Sequence, residues 1–346
     1  MIYIRFKEGD IMNVKDIWLS SEYDKIRNNE NIKNRIAFVC FGGSHAYGTN
    51  IETSDIDIRG VSLNTISSLI GLHPFEQALC NETDTTIYSF NKIVSLLINS
   101  NPNTIELLGG KEDSYYFPDG IPGQLGKLLV ENKRLFLSKK AIYSFGGYAN
   151  QQLKRLENSL CHDSYDEKQQ QNHLKNTINN VIHHFNETYS SFDESKMNVN
   201  IKDGELIGNI NLQQYPVKDF TNILNELTNI TRDYEKYNGR NRKKDNNHLN
   251  KHAMHLIRLY LMCLDILEKG EIITYREHDR EMLLEIRNGK YMLDDGTYRP
   301  EFFDMVNEYE KKLNYAKEHT ELPDKPDMKK IEELVRYVNL KTLQMR

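Results

Sequence analysis

The sequence predicts an α+β protein, with a small mixed-sheet core followed by a mostly helical C-terminal domain. Three observations lead there. Short β-rich apolar runs and period-two alternation crowd the N-terminal third. Long amphipathic stretches of helical period take over after about Gly123. Between the two regimes lies Asp113–Gly123, a loop rich in Pro and Gly. The expected domains are therefore 1–123 and 124–346, the second carrying a small β-hairpin near 199–210.

Taken in order, Ile36–Phe41 is a continuous apolar run bounded by Gly42 and Gly43, and it reads as a buried strand. Ser44–Tyr47 reads as a short helix ended by Gly48, and Thr49–Ser54 as a polar loop. Asp55–Val61 alternates with period two and reads as a second strand; Thr83–Ser89 reads as a third. Phe90–Ile98 and Thr104–Leu108 read as helices broken by Asn101-Pro102-Asn103. Further helices are expected at Gln124–Phe136, Lys139–Asn158, Tyr165–Asp193, Val217–Tyr237, Leu249–Lys269, Arg280–Asn288 and Met328–Asn339. Val199–Lys202 and Glu205–Ile210 flank Asp203-Gly204, a hairpin-turn dipeptide.

Composition narrows the classes. The chain has 346 residues, 38% hydrophobic and 27% charged, which suits a folded globular protein and excludes full-length disorder. Its formal net charge of −5 argues against a constitutive nucleic-acid coat protein and still allows a local basic patch. The four cysteines form no CxxC pair, so neither a zinc ribbon nor a disulfide framework is expected. The N-terminal residues show no basic-then-apolar signal pattern, and no apolar run reaches the ~18 residues of a membrane span. The expectation is a cytoplasmic protein with no membrane partner. Lys7-Glu8-Gly9-Asp10 can be encoded by a purine-rich ribosome-binding sequence, so Met12 is an alternative start to Met1.

Chemistry concentrates in Gly43-Ser44, a ten-residue spacer, and Asp55-Ile56-Asp57. Residues i and i+2 of a strand face one side, so Asp55 and Asp57 are expected to present two carboxylates together. Two close carboxylates are costly unless a proton or cation lies between them. Hard oxygen ligands suit Mg²⁺ or Mn²⁺. Glycines where a strand turns into a helix let the backbone approach a phosphate. A phosphate cradle beside a metal-binding carboxylate pair equips a protein for phosphoryl or nucleotidyl transfer.

This pattern resembles the signature of the polymerase-β-type nucleotidyltransferase superfamily. The segment Phe41–Val61, with Asn101–Leu108, Lys251–Leu259, Leu284–Gly289 and Leu322–Asp327, is similar to one branch, the nucleotidyltransferases associated with RNA ligases. The resemblance runs from about Ile36 to the C-terminus. It implies that the first domain is a nucleotidyltransferase core, that Asp55 and Asp57 hold two divalent ions, and that a third carboxylate on a neighbouring strand completes the site. Asp84 is the first choice for that carboxylate, with Glu82, of the same parity, as the alternative. Gly43, Ser44 and the local backbone would contact the triphosphate. Arg59 shares parity with the aspartates and either neutralises phosphate charge or pairs with them. His45 and Tyr47 flank the cradle, and Asn101 and Glu106 are candidates to support it.

Lys251, His255 and Arg258 fall at i, i+4 and i+7 of a helix, one stripe. The span Arg232–Arg258 carries a local net charge of +5 against −5 for the chain. The stripe is assigned to nucleotide binding, on the strength of the resemblance; the basic loop 240–244 reads as a solvated face. His248, His252 and His255 lack a nearby Cys or carboxylate, so no zinc site is expected. The reading is a Mg²⁺- or Mn²⁺-dependent enzyme moving an NMP from an NTP to an acceptor hydroxyl and releasing pyrophosphate, with two ions bound. An RNA end is the acceptor the branch implies. The alternatives are a small-molecule or protein acceptor, or a nucleotide-binding regulator without turnover.

Overall fold

The structure, a computed structural model, describes residues 13–164 apart from 73, residues 197–202, 205–210, 246–293 and 297–345, and scattered positions between 216 and 228. The chain divides into two compact units. One comprises Met1–Leu153, Asn250–Tyr291 and Arg299–Arg346; the other comprises Lys154–Leu249 and Met292–Tyr298.

In the larger unit, α1 (Val14–Leu19) is capped by the Asn13 side chain and followed by α2 (Asp24–Arg27). Strand β1 (Ile36–Phe41) leads into α3 (Gly43–Tyr47), and β2 (Ile58–Ser62) precedes α4 (Ile66–Ile70). Strands β3 (Gln77–Cys80) and β4 (Thr85–Ser89) come next, then α5 (Phe90–Ile98), α6 (Pro102–Ile105) and the short β5 (Tyr115–Tyr116). The sheet order is β3-β4-β2-β1-β5. Only the β2–β4 pair is parallel, so the sheet is mixed, as expected. One face of it is sealed by α1, α2 and the turns after them. Val14, Ile17, Trp18, Tyr23, Ile26 and Ile32 pack there with Val39, Ile58 and Ile87. Burying each such side chain contributes roughly 1.5–3 kcal/mol.

Helix α7 (Ile121–Glu131) packs on β1 and is followed by α8 (Lys140–Ser164). In the smaller unit, β6 (Met197–Lys202) and β7 (Glu205–Ile210) pair antiparallel with Lys202 opposite Glu205, where the hairpin is expected. Asp203-Gly204 itself, the helix expected at Tyr165–Asp193 and the basic loop 240–244 lie outside the described residues, as does most of Val217–Tyr237. Helix α9 (Asn246–Leu264) runs into a π-helical turn, Asp265–Lys269, and is followed by α10 (Arg280–Arg287), α11 (Pro300–His319) and α12 (Met328–Leu343).

Several elements differ from the sequence reading, which also contained none of α1, α2, α4 and β5. Strand β3 was not expected; it is an edge strand of alternating burial, too short for its period to stand out. Helix α11 was not expected either. Its apolar anchors Phe302, Val306, Leu313 and Ala316 are buried, but they are spaced among many charged residues. The strands β2 and β4 each begin later than the alternation suggests, which moves Asp55, Asp57 and Asp84 off the strands and onto the segments that feed them.

Candidate functional site

The site begins at the ends of three strands. The register places Ile58 of β2 opposite Phe41 of β1 and beside Thr85 of β4. The residues one step ahead of that row are Gly42, Asp57 and Asp84. The Gly42 N–H donates to the Asp57 carbonyl at 2.8 Å, and the Ile58 N–H to the Asp84 carbonyl at 3.3 Å. Parallel register, and not strand parity, therefore brings Asp57 and Asp84 together. Asp84 has φ of +40°, at the end of the turn that enters β4.

The Asp57 carboxyl is pushed up to about 7, first by burial, then by its hydrogen bond to Asp84 and the charge there. Asp84 is held below the usual carboxylate range, first by that same hydrogen bond and also by Arg59. The two carboxyls thus titrate as one coupled pair that favours holding a proton between them. Arg59 closes the group, its Nη2 lying 3.1 Å from Asp84 Oδ1 and 3.9 Å from Asp57 Oδ1. Of the two uses open to Arg59, pairing with the aspartates is the one seen here. Asp55 is exposed, beside the pair but not part of the hydrogen bond. Glu82 is spent on Lys25, at 2.7 Å on the surface.

Gly43 makes the close approach possible. Its φ is +53°, and a Cβ there would lie 1.8 Å from Asp57 Oδ2. Only glycine fits that place and that backbone. Ser44 follows in the first turn of α3, half-buried. His45 packs its ring on Phe41, 5.7 Å between centroids, and burial lowers its pKa.

Behind α3 lies a second charged group. The Tyr47 hydroxyl donates to the Glu106 carboxylate, and the Arg258 guanidinium lies 3.5 Å over the Tyr47 ring. Burial raises the Glu106 pKa, while the charges of Arg258 and Arg59 and the Tyr47 hydrogen bond pull it down. Arg258 Nη2 meets His255 Nδ1 at 2.7 Å. So the expected stripe divides: Arg258 is buried against Tyr47, His255 is half-buried beside it, and Lys251 is exposed. Asn101 caps α6, accepting from the Asn103 N–H.

Sequence reasoning gave no role to the segment after α9, which grips the other end of α3. The Arg276 N–H donates to the Tyr47 carbonyl at 3.1 Å. Arg280 Nε donates to the Gly48 carbonyl and Arg287 Nη1 to the Thr49 carbonyl, each at 2.7 Å. Arginine-to-carbonyl bonds carry no sequence period that would have revealed them; Arg287 lay in a recognised string without an assigned partner.

Among the described residues, no group of three or more His, Cys, Asp or Glu side chains is arranged to hold a metal ion, and no helix is long and apolar enough to cross a membrane. The carboxyls of Asp57 and Asp84 nevertheless fit a divalent cation, since they are hard oxygen donors on adjacent strand ends that both face Arg59.

The proton shared here gives a pH dependence. A carboxyl whose folded pKa is raised stabilises the fold fully below its unfolded value near 3.8 and loses that contribution as pH rises through about 7. Asp84, lowered, acts only below that window. The metal-free protein is expected to lose on the order of 2 kcal/mol between pH 5 and pH 8 from this pair, and Asp57→Asn to flatten that slope. Thermal unfolding in chelator across the range measures it; equal slopes for the two proteins would refute the shared proton.

Residues 18–177 match the RlaP family model, described as an RNA repair pathway DNA polymerase beta family. No curated protein and no solved structure matches the chain.

Proposed function

We propose that the chain, whose residues 18–177 match a family model described as an RNA repair pathway DNA polymerase beta family, moves a nucleoside monophosphate from an NTP to the hydroxyl of an RNA end, releasing pyrophosphate. The observation that carries this is the placing of Asp57 and Asp84 side by side at the ends of β2 and β4, both facing Arg59, with Asp57 set against Gly43 at the start of α3. Asp55, Asp57 and Asp84 would hold the divalent ions, Mg²⁺ or Mn²⁺, two in number. When bound, such ions neutralise phosphate charge and lower the pKa of a hydroxyl they contact.

The protein's own part follows from its geometry. The Gly43 and Ser44 backbone approaches the triphosphate, where no side chain but hydrogen fits at Gly43. Arg59, already beside both aspartates, balances phosphate charge from the same side. Lys251, His255 and Arg258 are assigned to the nucleotide from α9, Lys251 by direct contact and Arg258 by fixing Tyr47 under α3. The acceptor oxygen forms a bond to the α-phosphorus as the bond to the pyrophosphate oxygen breaks. The hydroxyl proton passes to a carboxylate, a role assigned to Asp84 as the third carboxylate of the site. We place the catalytic groups in 1–123 and the supporting helices in 124–346.

The test is incubation with each α-labelled NTP, Mg²⁺ or Mn²⁺, and RNAs of defined 3′ ends. Label entering RNA, and absent with Asp55→Ala/Asp57→Ala, is the expected result. Label entering only small molecules or protein would replace the acceptor; none entering anything, with NTP still bound, would favour a regulator. A paired comparison separates the two third-carboxylate candidates. Asp84→Asn is expected to lower the rate about 10²-fold or more, and Glu82→Gln to leave it within about twofold, because Glu82 is engaged with Lys25. The reverse order would move the site to Glu82.

A further inference from the structure

We propose that Arg287, with Arg280 beside it, is a positioning residue for nucleotidyl transfer, holding the loop between the glycine turn and the acidic segment at a fixed span. The inference rests on the nucleotidyltransferase reading and deepens it.

The loop from Gly43 to Asp57 carries the proposed phosphate cradle at one end and the carboxylates at the other. Its ends are pinned to each other, since Gly42 N–H donates to the Asp57 carbonyl at 2.8 Å. Its far side has no partner strand. The carbonyls there, of Tyr47, Gly48 and Thr49, stand at the C-terminal end of α3, where a helix leaves acceptors unsatisfied. Each of the three successive carbonyls is met from the segment 276–287: Arg276 N–H at 3.1 Å, Arg280 Nε at 2.7 Å and Arg287 Nη1 at 2.7 Å.

Arg287 does more than cap. Its Nη2 lies 3.3 Å from Ser54 Oγ, and the same oxygen accepts from the Ile51 N–H at 2.9 Å. One buried guanidinium, 5% exposed, therefore ties the start of the loop at Thr49 to its end at Ser54, next to Asp55. Among the described residues no carboxylate pairs with Arg287; its charge is set on backbone and hydroxyl oxygen. That is an arrangement for holding geometry, and two parallel donors from one planar fork hold it better than a lysine could. Gly48, at φ +70°, lies against the Tyr275 ring, so the same segment also packs on the turn.

Three variants test it: Arg287→Lys, Ser54→Ala and the double variant, with Asp57→Asn alongside. Arg287→Lys is expected to lower kcat by about 10–100-fold with KM for NTP within about twofold, since small misplacements of reacting groups act on the chemical step. Ser54→Ala, a change at a half-buried loop position outside the core, is expected to lower kcat severalfold without lowering Tm. The double variant should be no worse than Arg287→Lys, because the two act through one contact. Hydrogen exchange of amides 49–57 should quicken in both single variants, a readout independent of turnover. Wild-type kcat in both, beside an inactive Asp57→Asn, would overturn the positioning role and leave the function standing. An active Asp57→Asn would overturn the function and this inference with it.

Discussion

Asp57→Asn is expected to lower nucleotidyl transfer by about 10³-fold or more while leaving the fold intact. The side chain is 19% exposed and sits at the edge of the core, touching Asp84, Arg59 and the glycine turn. The amide fills the same space and keeps the backbone bond to Gly42. What it removes is the charge that a divalent ion and the triphosphate chemistry require. Because burial already holds that carboxyl protonated up to about pH 7, the variant should be at least as stable as the parent above it. The pair of outcomes is the informative part: activity falls while Tm at pH 8 stays level or rises. Label incorporation and thermal unfolding, measured on the same samples, check both. A rate within tenfold of the parent would remove Asp57 from the site.

Gly43→Ala is expected to cost about 10²-fold in rate with only a modest loss of stability. The new Cβ would stand 1.8 Å from Asp57 Oδ2, far inside contact distance, at a φ of +53°. Either the carboxyl swings away or α3 shifts, and each separates the carboxylates from the cradle by on the order of an ångström. The left-handed backbone adds about 1–2 kcal/mol for a residue with a Cβ. Gly146→Ala supplies the contrast, because that α8 glycine has open space around it and a helical Gly→Ala change stabilises by about 0.4–1 kcal/mol. Single-turnover rates with saturating NTP would decide; parity between the two variants would mean the glycine turn is only a turn.

Much of this was legible in the sequence, and the illegible part has a common cause. Ile36–Phe41, the glycines after it and the short helix ended by Gly48 follow from local preference, and they stand where the sequence puts them. The Gly-Ser and Asp-Ile-Asp pattern marks the right surface. What local reasoning could not supply is the pairing. It read Asp55 and Asp57 as partners through strand alternation, whereas Asp57 is joined to Asp84 by the parallel register of β2 and β4. Asp84 and Glu82 share strand parity, so alternation could not choose between them, and Asp84 in fact lies in the turn before β4. Arg258 was aligned with Lys251 on one helical stripe, but a stripe does not say which end is covered, and Tyr47 covers the Arg258 end. The contacts of Arg276, Arg280 and Arg287 are set by which distant carbonyls are left open, a property of the assembled fold.

The donors to the carbonyls of residues 47–49 have a consequence for the order of events during synthesis. The strands, the glycine turn and all three aspartates are made early, and the matched segment ends at residue 177. The groups that close the far side of that loop are made about a hundred residues later, at 276–287. A nascent chain can thus complete its sheet on the ribosome while the loop across it is still unfastened, and long-range closure of this kind comes late in folding. Competence would arrive with the last third of translation, so an interrupted polypeptide carries the whole acidic signature and none of the fastening that sets its span.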